Sequence, residues 1–193
     1  DTMTTESACL SSVWATDDKV KEYFEIHKRP QGFKEMVPGN AALYDSVVEV
    51  NLDTIVPMIA LPFHPSNAYL LADVIAEPEK YLKMVEKEAE RVFENNKDIH
   101  LDLCSKIHDG KIKVDQAAIA GCAAGSFENI YAVDQIAKKM DKGLGTFPFN
   151  IYPASQPIMY ELNKIGVLND LMGYGVRVKT AFCGPCFGAS DER

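Results

Sequence analysis

Apolar positions recur at helical spacing near the start of the chain. Val20, Tyr23, Phe24 and His27 fall on one face of Asp17–His27, and Pro30 ends the pattern, which predicts a helix. Residues 29–44 then carry Pro30, Gly32, Pro38, Gly39 and Asn40 and are expected to be a connector. Val48-Glu49-Val50-Asn51-Leu52 alternates apolar with polar, so a strand is expected there. Pro57, Pro62 and Pro65 impose an extended crossing segment after it. Between Ala76 and Asn95, Leu82, Val85, Ala89 and Val92 build a second helical face. Its charges, including the i,i+4 pair Glu79 and Lys83, form the solvated side that an amphipathic helix needs.

The second half alternates element types. Val114–Gly121 is expected to be a strand, and Phe127–Met140 a helix with Ile130, Val133, Ile136, Ala137 and Met140 inward. Phe147–Tyr152 is the next strand. Ser155 can cap a helix over Gln156–Ile165, with Pro157 in the first turn, where a missing N–H costs little. Gly175–Ala181 closes the series as a strand. The two most apolar stretches, Ile55–Pro62 and Ala117–Ala124, are expected to be buried strand or core segments. Strand–helix–strand–helix–strand predicts an α/β fold with a mostly parallel sheet flanked by helices.

A chain of 193 residues that is 47% hydrophobic and 25% charged supplies a core for one domain, or one large domain with an appendage. No run approaches the roughly 20 apolar residues of a spanning helix. Twenty basic against twenty-eight acidic side chains give a net charge of −8, which argues against nucleic acid or anionic lipid as a partner. The arginines are Arg29, Arg91, Arg177 and Arg193, a short supply of bidentate groups for clamping carboxylates. The chain opens at Asp1 without a charged-then-apolar leader, so no secretory signal is expected. Five cysteines, an odd number in a chain of this size, favour a reducing, cytoplasmic setting and a metal or catalytic use over a disulfide framework.

The cysteines sit in telling places. Cys122, in Gly121-Cys122-Ala123-Ala124-Gly125, follows the first strand of the alternating half. Cys183 and Cys186, in Phe182-Cys183-Gly184-Pro185-Cys186-Phe187-Gly188, follow the last. Ligand sites of α/β sheets lie at the carboxyl ends of the strands, so the two loops could converge. Cys-Gly-Pro-Cys is also the motif of thiol–disulfide oxidoreductases, but that chemistry wants a helix and further strands after the pair, which the remaining sequence does not provide. A structural zinc lacks an evident fourth ligand. His100, Cys104 and His108 would share one face if their segment were helical. Ile99, Leu103 and Ile107 repeat one position earlier, so packing explains that spacing equally. His27 and His64 have no evident partners and are read as surface or packing residues.

Five stretches together resemble the aconitase and isopropylmalate dehydratase superfamily. Thr2-Met3-Thr4-Thr5-Glu6 with Ala15-Thr16-Asp17-Asp18-Lys19 and Glu22-Tyr23-Phe24 is similar to N-M-x-x-E and A-P-D-E-K…E-Y-L. Val48-Glu49-Val50-Asn51-Leu52 with Pro57 and Pro62-Phe63 is similar to I-E-I-N-L…P…P-F. Ile119–Ile130 resembles the loop I-G-S-C-T-N-x-x-x-E-D-L, Tyr152–Ser155 the turn T-P-G-S, and Phe182–Gly188 the motif A-C-G-P-C-x-G. Each is weak alone; their shared order carries the resemblance.

The resemblance implies a domain like the third of that superfamily's four, of three-layer type. Residues 31–193 would form it, and residues 1–30 the edge of the preceding domain with a linker helix. It implies a 4Fe–4S cluster held by Cys122, Cys183 and Cys186, with one iron left open as a Lewis acid. The activity implied is reversible dehydration of a hydroxylated di- or tricarboxylic acid by a longer parent protein, a hydro-lyase. Its remaining domains would supply most of the substrate-binding groups, leaving the excised segment inactive alone. Glu6 falls on the family's active-site glutamate, while Thr2 stands where the family has asparagine. Gly121, Ala123 and Ala124 replace three polar side chains of the cluster loop, which alters the hydrogen bonds available to it. Alternatives are a non-catalytic, iron-responsive RNA-binding member of the same family and a Cys183–Cys186 thiol–disulfide oxidoreductase.

Overall fold

The computed structural model describes residues 8–96 and 98–189. Two compact units divide between Val56 and Pro57. In the first, α1 spans Asp18–Ile26, and the Asp17 carboxylate caps it by accepting the Val20 N–H at 3.0 Å. The Thr16 N–H donates to the Met36 carbonyl and the Met36 N–H to Thr16 Oγ1, closing the loop that follows the helix. No residue from 8 to 56 is buried. The strand expected at Val48–Leu52 does not form: Leu52 begins a 3-10 turn, Leu52–Thr54, and the preceding residues are exposed. Alternation supplied an apolar face, but no neighbouring strand takes up the backbone groups.

The second unit begins with an antiparallel hairpin, β1 (Met58–Ala60) and β2 (Ala68–Leu70), registered Met58 to Leu70. Within the apolar run Ile55–Pro62 only Met58–Ala60 is strand, and its side chains are exposed; Leu61 is the buried member. The helical stretch then splits. Leu71–Ala76 forms α2, and Pro78 starts α3, Pro78–Val92. Tyr81, Leu82, Val85 and Ala89 are buried along α3, and Tyr81 and Val85 cluster with Leu61 and Val74. Val92 stays exposed. The helical face expected of His100, Cys104 and His108 is absent. Glu86 on α3 accepts the N–H groups of Leu103 and Cys104 at 2.6 and 2.8 Å, holding a 3-10 turn, Cys104–Lys106. His108 lies in a short ribbon of β3 (Ile107–His108) and β4 (Lys111–Ile112). A charged side chain from a neighbouring helix thus overrides the local spacing.

The alternating half is the α/β domain the pattern predicts. Strands β5 (Ala117–Ile119), β6 (Phe149–Ile151) and β7 (Arg177–Val178) form a parallel sheet in chain order. Between them lie α4 (Gly121–Ala124), α5 (Phe127–Ala137), α6 (Gln156–Lys164) and α7 (Val167–Gly173). Ser126 caps α5 through the Asn129 N–H, and Ser155 caps α6 through the Ile158 N–H. The core gathers Ile130, Ile151, Leu162 and Leu171, all fully buried, with Val167, Leu168 and Val176. Ile136 and Met140, expected inward, are exposed. Asp134 takes the inner position instead, and Lys138 Nζ lies 2.7 Å from its Oδ2 and 2.7 Å from Asp170 Oδ2, tying α5 to α7. These hydrogen bonds, Asp134 first, hold the Lys138 ammonium charged well above the ordinary lysine range.

Candidate functional site

Three strand ends converge on one cleft. After β5, Ala120 is extended and the chain turns at Gly121, whose φ of +80° is a conformation that only glycine adopts without cost. A Cβ there would also stand 2.8 Å from Cys186 Sγ, so the turn carrying Cys122 and the loop carrying Cys186 meet at this bare backbone. The ladder continues past the sheet: the Tyr152 N–H donates to the Ile119 carbonyl and the Lys179 N–H to the Ile151 carbonyl, each at 2.8 Å. Beyond β6, the Ala154 N–H bonds the Gly125 carbonyl at 2.8 Å. Gly125 packs so closely on this segment that a Cβ would lie 2.5 Å from the Tyr152 carbonyl oxygen. Beyond β7, a 3-10 turn, Gly184–Phe187, follows Cys183 and touches α4.

The cleft so formed measures about 320 Å³ and is lined by Gly121, Cys122, Pro153, Ala154, Ala181, Phe182 and Cys183. All three cysteine side chains are exposed. The structure thereby brings Cys122 and Cys183 to one cleft, with the Cys186 sulfur against the glycine beside Cys122. Phe182 and Phe187 pack edge to face at 5.8 Å. Flanking the cysteines, they cover part of the loop with apolar surface. A smaller cleft of about 160 Å³ lies between Leu61 and Val85; its one carboxylate, Glu88, is paired with Arg91.

The remaining candidates do not join this site. Glu6 lies outside the described residues. Cys104 is half-buried beside Glu86, with Sγ 3.6 Å from Oε2; burial first, then that carboxylate, push its thiol above the ordinary range. His27 Nδ1 lies 2.8 Å from the Tyr23 carbonyl and His64 Nδ1 2.7 Å from Ser66 Oγ, both at the surface. Among the described residues, no three His, Cys, Asp or Glu side chains come together as the ligands of one metal ion. Asn129 is the residue the sequence reading passed over: its Nδ2 donates to the Ala123 carbonyl, 3.1 Å away, at the far side of the Cys122 turn. Its place three residues after Ser126 marks the helix start, but nothing in that spacing points to the Ala123 carbonyl.

A family model described as Aconitase family (aconitate hydratase) matches residues 1–193. The chain belongs to the aconitase family. Among its relatives, a 3-isopropylmalate dehydratase large subunit of Clostridium botulinum (strain Eklund 17B / Type B) is 25% identical over 188 residues, 96% of this chain and 36% of that protein. That of Thermoanaerobacter sp. (strain X514) is 27% identical over 174 residues, 89% of this chain and 32% of that protein. This aconitase-family chain therefore spans about a third of the length of the curated relatives it matches. Among its described residues, no helix is long and apolar enough to cross a membrane.

Proposed function

We propose that Cys122, Cys183 and Cys186 hold a 4Fe–4S cluster, and that the longer protein is a hydro-lyase. Its reaction is the reversible dehydration of a hydroxylated di- or tricarboxylic acid. One observation carries this reading: Cys122 and Cys183 line one cleft while the Cys186 sulfur abuts Gly121 beside them. The donor set fits the group. Three thiolates suit iron–sulfur chemistry, and small residues at 121, 123, 124 and 125 leave the backbone open to a bulky inorganic guest. Ligands of a cluster bind separate irons, so they need not converge as the ligands of a single ion do.

When bound, the cluster would supply an iron without a protein ligand, a Lewis acid that makes a substrate hydroxyl a better leaving group. The chain's own residues prepare the place. The three thiols lose their protons on ligation, Gly121 lets the two loops close, and Phe182 and Phe187 place apolar surface beside the Cys183–Cys186 loop. The Glu6 carboxylate is our candidate to receive the proton from the neighbouring carbon, so that water is lost with no change in oxidation level. With four arginines in this segment, the carboxylate clamps are proposed to come largely from the rest of the longer protein. The rest of the longer protein is therefore the proposed partner, and the segment alone does not turn over.

The test is a dehydration assay on the longer protein after anaerobic loading with iron and sulfide. Isopropylmalate, citrate and malate are offered in turn, and the unsaturated product is followed by ultraviolet absorption. Turnover of a hydroxy acid by the loaded protein and none by the 193-residue chain is expected. A loaded protein that dehydrates none of them would contradict the reading.

A further inference from the structure

We propose that Asn129 is a positioning residue for the Cys122 turn; the inference rests on the cluster reading above for its purpose, but not for its geometry. The segment Gly121–Ala124 is one helical turn, closed by the Gly125 N–H donating to the Gly121 carbonyl at 2.9 Å. A single turn is far below the length at which a helix is stable alone, so it depends on outside support. Its last carbonyls are the ones a helix leaves without intrahelical partners.

Asn129 supplies that support from the first turn of α5. Its amide Nδ2 donates to the Ala123 carbonyl, the residue next to Cys122. Its own backbone N–H is held by the Ser126 cap, so the side chain reaches back from a fixed base. Ala123 and Ala124 have no polar side chains with which to stabilise the turn themselves. On the opposite side, Gly125 is locked by the Ala154 N–H. The Cys122 turn is thus gripped between the segment after β6 and one amide of α5. A thiolate must keep a fixed direction toward a cluster, and the residues that orient ligands set how firmly the group is held.

The test compares Asn129→Ala and Asn129→Asp with the unmodified chain. Aspartate keeps the size and, as an acid in a first helical turn, keeps α5 stable. It cannot donate to the Ala123 carbonyl. The readout is amide hydrogen exchange at Gly125, whose N–H closes the turn, measured by NMR without iron. Both variants should speed this exchange by about fivefold, the shift expected from loss of one neutral hydrogen bond. In the loaded chain, cluster loss to a chelator should accelerate by a similar factor. Unchanged Gly125 exchange in the aspartate variant would overturn the proposal, because a role confined to helix stability spares that variant. If exchange speeds up but neither the unmodified chain nor the longer protein holds iron, the positioning stands and the cluster reading falls. If iron is held and exchange is unmoved, only the positioning falls.

Discussion

Residues 8–56 and the parallel-sheet region from Ala117 onward contain the same kinds of apolar pattern and reach opposite outcomes. Val48, Val50 and Leu52 alternate cleanly, yet remain 84%, 59% and 77% exposed and form no strand. Ala117–Ile119 has weaker strand formers and only three residues, but pairs with β6, which in turn pairs with β7. A neighbour to receive backbone hydrogen bonds, and helices to cover the face, decide the matter more than the pattern does. The contrast also accounts for the position of the cysteine cleft: the sheet and its buried core bring the Cys122 and Cys183 loops together.

The largest expected effect tests that contrast on the core. Leu171→Ala or Leu162→Ala, at fully buried positions, should cost about 2–5 kcal/mol by urea denaturation. Val48→Ala should stay within about 0.5 kcal/mol. Equal losses would show that residues 8–56 share the cooperative core after all. Next come two glycines. Gly121→Ala forces a side chain to positive φ and against Cys186 Sγ, for an expected loss of about 1–3 kcal/mol. A Cβ at Gly39 meets nothing within 4 Å, and Gly39→Ala should be neutral or slightly stabilising. Similar losses at both would remove the argument that loop closure requires Gly121.

The smallest effect is a pH dependence between the thiols. Burial and Glu86 raise the Cys104 pKa, so the unfolded chain gives up this proton first as pH rises. Stability should therefore fall slightly as pH climbs from the ordinary thiol range toward the raised value, and Glu86→Gln should flatten that slope. Alkylation of Cys104 should also trail that of the exposed Cys122 at mildly alkaline pH. Equal alkylation rates would place Cys104 in open solvent instead.

Much of the sheet region was legible because its signals are local. Ser155 and Pro157 announce α6, Ser126 announces the start of α5, and the strands appear where expected, though shorter. The approach of the two cysteine loops was legible from topology, since both follow parallel strands. What could not be read depended on distant groups. Glu86 captures the amides of Leu103 and Cys104 and abolishes the helix that the histidine spacing suggested. Asp134 is buried on the face it shares with Ile130 and Ala137, paired with Lys138, while Ile136 lies off that face. Asn129 looked like any residue of a polar helix start, and its amide acquires a meaning only when the Ala123 carbonyl is seen opposite.

The central claim is that Cys122, Cys183 and Cys186 act together on one cluster. Its most direct test is anaerobic reconstitution of the chain with iron and sulfide, followed by iron, sulfide and visible-absorption analysis. Cys122→Ser, Cys183→Ser, Cys186→Ser and Cys104→Ser are run beside the unmodified protein. The account predicts a four-iron cluster that survives the Cys104 change and is lost or sharply reduced by each of the other three. A cluster indifferent to Cys122, or one that needs Cys104, would contradict it.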